Sequence, residues 1–186
     1  MMVLEIHDMT LTKRQQKALI EAQWVSEHWP AEAPLFKSHF VQGWGGTESY
    51  FSSNTVYALM HYGYVAFYEA GIYLTPAGER LATLLAELPA PLTRRQWQIL
   101  LRFRDVGSDS SLCVTASFRS TFNHPNWYLP ENPADYAADT EPLFSERTRR
   151  ILCDYGLLGF EYRHDHGGAQ YAHLTPLGEE LTSLLP

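Results

Sequence analysis

The chain lacks most of the features that would fix its class at once. Its two cysteines, Cys113 and Cys153, stand far apart in 186 residues. That argues against a disulfide framework and gives no metal-ligand spacing, so a reduced, cytoplasmic protein is the simplest expectation. No apolar run approaches the length of a membrane span, and none is expected. The opening "MMVLEIHDMTLTKRQQ" has neither the basic start nor the apolar centre of a signal peptide. Positive charge is scarce: 14 Lys and Arg face 21 Asp and Glu, a net charge of -7. A protein of that sign binds nucleic acid only through a local basic patch. No nucleophile elbow, zincin or kinase signature or spaced carboxylate pair occurs, so neither catalysis nor a cofactor is expected.

What the chain does have is an internal repeat. "LTKRQQKAL" from Leu11 returns as "LTRRQWQIL" from Leu92, an offset of 81 (92 less 11). "FSSNTVYALMHYGYV" from Phe51 returns as "FSERTRRILCDYGLL" from Phe144, an offset of 93 (144 less 51). "LTPAGERLATLL" from Leu74 returns as "LTPLGEELTSLL" from Leu174, an offset of 100 (174 less 74). Three blocks in one order predict two copies of one fold. The expected domains are 1–88 and 92–186, joined by 89–91 with Pro89 and Pro91. The growing offsets place an insertion in copy two around 107–142 and a longer wing over 157–174.

Each block has a local physical reading. Thr12 with Gln15, and Thr93 with Gln96, have the spacing of a capping box that opens a helix. Ser52 and Ser145 are N-caps of the second block. Thr55, Ala58, Leu59 and Tyr62, matched by Thr148, Ile151, Leu152 and Tyr155, mark its buried face. Gly63 and Gly156 fall where a helix ends in a left-handed residue. Hairpins should follow, turning near Ala70-Gly71 and Gly167-Gly168. Thr75 and Thr175 cap the last helix, with Pro76 and Pro176 at its first position. Gly78 and Gly178 weaken that helix unless something packs close against its first turn.

The capped pattern S-x-x-T-x-x-x-L-x-x-x-G, a hairpin and L-T-P-x-G-x-x-L resemble the recognition helix, wing and following helix of the winged-helix superfamily, in particular bacterial regulators of the MarR and PadR kind. The resemblance covers most of both copies. It implies a fold that is mainly α with small β-hairpin wings, an α+β arrangement of two tandem winged-helix domains. Such folds place a further helix between the first two blocks. "AEAPLFKSHFVQ" would supply it in copy one, whereas "SLCVTASFRSTF" in copy two reads equally as helix or strand.

The resemblance also implies double-stranded DNA as a partner. The second block of copy two sets Ser145, Arg147, Arg149 and Arg150 at the start of the recognition helix, with Glu146, Cys153 and Asp154 on the same outward face and Arg163 on the wing. Arginine there pairs with guanine or contacts phosphate. Copy one has no basic residue on that face and sets Asn54, Val56, Tyr57 and Met60 outward instead, which suits a protein partner or a homodimer. The contrasting expectation is a protein-binding module, similar to the "kite" subunits of SMC-type chromosome complexes. In a variant of it, the acidic stretch Asn123 to Pro142 mimics phosphate. "HDHGG" at the second wing tip suits a turn better than a metal site, and the glycine-rich "GWGG" of Gly43 to Gly46 lacks the lysine of a phosphate loop.

Overall fold

A computed structural model describes residues 10–28, 35–36, 52–68, 71–106, 112–117, 126–128, 144–163 and 169–186. It is an α+β fold, mainly helical, with antiparallel sheets. It divides into two compact units, Met1–Arg94 with Leu184–Pro186, and Arg95–Ser183. Among the described residues no helix is long and apolar enough to cross a membrane.

The first unit begins with α1 (Lys13–His28). Its capping box is formed: the Thr12 N–H donates to Gln15 Oε1 at 2.7 Å and the Gln15 N–H to Thr12 Oγ1 at 3.2 Å. Strand β1 (Leu35–Phe36), helix α2 (Ser53–His61), strands β2 (Val65–Tyr68) and β3 (Gly71–Leu74) and helix α3 (Pro76–Glu87) follow. The sheet order is β1-β3-β2. Helices α1 and α3 pack together. The core takes Ala18, Leu19 and Ala22 from α1 and Leu81, Ala82, Leu84 and Leu85 from α3.

One polar side chain lies inside that core. Gln16 is fully buried, and its amide is saturated. Nε2 donates to the carbonyls of Leu11 (2.9 Å) and Leu92 (2.8 Å), and Oε1 accepts from the Leu92 N–H (2.8 Å). A buried amide costs little when both of its N–H groups and its oxygen are hydrogen-bonded. Here it ties the chain just after Pro91 back onto the start of α1.

The second unit repeats the plan with more sheet. Helix α4 (Arg94–Val106) buries Trp97, Ile99, Leu100 and Phe103. Strands β4 (Leu112–Ser117), β5 (Asn126–Tyr128) and β6 (Phe144–Ser145) lead into helix α5 (Glu146–Asp154). Strands β7 (Leu158–Arg163) and β8 (Ala169–Leu174) then form a hairpin, followed by helix α6 (Pro176–Ser183). The five strands are ordered β6-β5-β4-β8-β7.

The junctions of the repeat match bond for bond. Ser52 Oγ accepts from the Thr55 N–H, and Ser145 Oγ from the Thr148 N–H, both at 3.3 Å. Gly63 (φ 78°) and Gly156 (φ 68°) adopt the left-handed conformation that ends each helix. The next residue closes the motif, Tyr64 N–H to the Leu59 carbonyl and Leu157 N–H to the Leu152 carbonyl, both 2.9 Å. Thr75 then caps α3 by accepting from the Gly78 N–H and donates to the Gly63 carbonyl (2.7 Å). Thr175 does the same between Gly178 and Gly156. What packs against the first turn of α3 is the Tyr64 carbonyl, which a Cβ at Gly78 would overlap. The Leu157 carbonyl stands in the same relation to Gly178. The "LTPxG" sentence is therefore an instruction for joining hairpin to helix.

The sheet adds a fourth repeated element. Leu35 lies opposite Ile72, and Leu112 opposite Ala172, so the two short strands meet equivalent partners at an offset of 77 (112 less 35). The described part of "SLCVTASFRSTF" is thus strand β4, and Leu35–Phe36 within "AEAPLFKSHFVQ" is strand as well. The rest of these segments lies outside the described residues. Because the offset falls from 81 to 77 before rising to 93, the extra residues of the second copy lie between β4 and α5, where β5 pairs with β4 and β6.

Candidate nucleic-acid interface

Helix α5 starts where β6 ends, and Ser145 serves both elements. Its first residue, Glu146, was expected outward, but it is buried at 6% exposure. The cause is its partners. Arg149 grips both carboxylate oxygens, Nε to Oε2 at 2.7 Å and an Nη to Oε1 at 2.6 Å. Arg150 adds Nε to Oε1 at 3.0 Å. A carboxylate in the first turn also complements the positive end of the helix. Its hydrogen bonding to Glu146 pushes the Arg149 guanidinium above its already high value, against a smaller opposing effect of burial. The guanidinium carbon of Arg149 sits 5.1 Å from the ring centroid of Phe160 on β7, a cation–π arrangement.

The predicted arginines therefore divide. Arg147 is exposed and makes no hydrogen bond or ion pair among the described residues. Arg150 is anchored by Nε, yet its side chain is 67% exposed. Arg149 is half-buried and committed to Glu146. Ser145 is exposed and caps the helix. Arg163 lies on β7 opposite Ala169, toward the tip of the hairpin. Cys153 is half-buried, and its thiol is pushed up by burial.

The corresponding helix of the first unit presents a different surface. Asn54, Tyr57 and His61 are exposed, with Tyr57 at 59%, and Met60 is half-buried. Val56 was expected outward and is instead buried at 6%. Helix α2 packs against both α1 and β2, so its buried arc is wider than one stripe and takes in Thr55, Val56 and Leu59. Among the described residues, Phe67 on β2 and Trp24 on α1 are the other large exposed apolar side chains, and Trp24 stacks on His28 at 4.5 Å.

Sequence reasoning missed Glu146 as the organiser of this surface. The signal was present: an acid with arginines three and four residues on is the spacing of helical ion pairs. Among the described residues, no group of three His, Cys, Asp or Glu is placed to hold a metal ion. His164, His166, the Gly43 to Gly46 run and the acidic residues Glu131, Asp135, Asp139 and Glu141 lie outside the described residues. No protein-family model, curated protein or solved structure matches the chain.

Proposed function

We propose that the chain is a cytoplasmic, non-catalytic tandem winged-helix protein that binds double-stranded DNA through its second unit and serves a regulatory role. The element order helix, strand, helix, hairpin, helix supports the fold reading. So does the strand before the second helix that pairs with the second hairpin strand in both units, β1 with β3 and β4 with β8. The observation that carries the DNA reading is the outward face of α5. Arg147 and Arg150 project from its N-terminal half, where the second helix of a helix-turn-helix approaches base edges. With a net charge of -7, binding must come from this local patch.

The test is anisotropy of a labelled random duplex over a salt series. Affinity should fall steeply with salt as phosphate-bound counterions are released, and Arg147→Glu should lower the slope by about one counterion. No binding at 50 mM salt, or binding indifferent to reversal at Arg147 and Arg150, defeats the proposal. A second reading, a protein contact through α2 of the first unit, rests on exposed Tyr57 and Phe67. Silence in the DNA assay is the outcome that favours it.

A further inference from the structure

The two units form an internal control. Around α2 and α5 they share the serine cap, the glycine stop, the hairpin and the capped helix that follows. Three of the positions at which they differ concern one ion-pair cluster. Unit one has Ser53, Val56 and Tyr57 where unit two has Glu146, Arg149 and Arg150. The first set shows that the fold forms without the second. Burying a carboxylate is costly and is offset only by well-made partners. A costly trio that the scaffold does not require needs another reason.

The geometry supplies one. Arg149 uses Nε and one Nη on Glu146 and lies over Phe160, so its charge balances the carboxylate. Arg150 uses only Nε. Its side chain is 67% exposed and held at Nε, and among the described residues its two terminal nitrogens make no hydrogen bond. A free arginine must lose rotamer entropy to adopt one fork direction. An arginine held at Nε has met much of that requirement before any ligand arrives. A fixed pair of parallel donors matches the O6 and N7 acceptors of guanine in the major groove. Arg147, unanchored, suits phosphate, which accepts from many directions.

We propose that Glu146 is a positioning residue that, with Arg149 as its counter-charge, presents Arg150 as a preset fork for the O6/N7 edge of guanine. This rests on the DNA-binding reading above. Simple charge predicts the opposite consequence: deleting a carboxylate should strengthen binding to any duplex.

The experiment compares the full chain on two pools of randomised duplexes, one natural and one with 7-deazaguanine in place of guanine, which removes the N7 acceptor. The wild type should prefer the natural pool about fivefold or more, within the range of one bidentate contact. Arg150→Lys and Glu146→Gln should each bring the ratio near one, with Glu146→Gln still binding both pools. Should Glu146→Gln fail to fold by circular dichroism, the double variant Glu146→Ser with Arg149→Val uses residues that unit one already folds with, and the same ratio is expected. If the wild type discriminates and the variants keep the ratio, the positioning role is overturned. If the wild type binds both pools equally, guanine reading is overturned while DNA binding stands. If it binds neither, the underlying reading falls and this inference with it.

Discussion

The second block of the repeat was written twice, and the two helices it encodes have diverged most on the face that meets solvent. In α2 the outward turn ends in neutral and aromatic groups, and Val56 turns into the core. In α5 the position of Val56 is occupied by Arg149, which lies along the surface to hold Glu146. The caps and the left-handed glycines did not change. Residues that join elements are thus held constant by backbone hydrogen bonding. Residues that merely cover a helix are free to become a surface of a different kind.

The comparison breaks most severely at the constant positions. Gly78→Ala and Gly178→Ala should each destabilise by about 3 kcal/mol, because a Cβ would overlap the carbonyl of Tyr64 or Leu157. Urea denaturation should show similar losses for the two; a harmless alanine at either would mean that the junctions are not equivalent. The next effect sharpens the difference. Arg149→Val alone should cost about 2 kcal/mol, since it takes from the buried Glu146 the guanidinium that grips both of its oxygens. The double change with Glu146→Ser should recover most of that loss, a coupling measurable in a double-mutant cycle. The smallest effect concerns α1 of the first unit.

Glu21 has one carboxylate oxygen buried without a hydrogen-bond partner, and burial pushes its carboxyl above the ordinary value of 4.5. The folded state then holds its proton longer than the unfolded chain, so this residue lowers stability as pH rises from 4.5 through the raised value. Glu21→Gln should raise the melting temperature slightly at pH 7 and leave it unchanged near pH 3. The equivalent position of α4 is Arg102, which is exposed, so the penalty belongs to one copy.

Much of the fold was legible because its signals are local. A cap, a left-handed glycine and a proline at a first helical position each act within a few residues. That is why Ser52, Gly63, Thr75 and their counterparts were readable one by one. Strand β1 was not, because a strand of two residues has no periodicity, and β4 read equally as helix; the pairing partner of each lies far along the chain. Gln16 was invisible for the same reason, since its carbonyl partner Leu92 is 76 residues away. Of the candidate site, the arginines were found by their place in the repeated second block. The burial of Glu146 was not, because it depends on three side chains closing over one another.

One consequence concerns synthesis rather than binding. The first unit includes Leu184–Pro186, whose Leu184 carbonyl accepts from the hydroxyl of buried Tyr64 at 2.9 Å and whose Leu185 is itself buried. A chain emerging from the ribosome carries Tyr64 more than a hundred residues before that acceptor is made. The unit translated first is therefore the one completed last. Its final contacts form only after the residues of the second unit have been made.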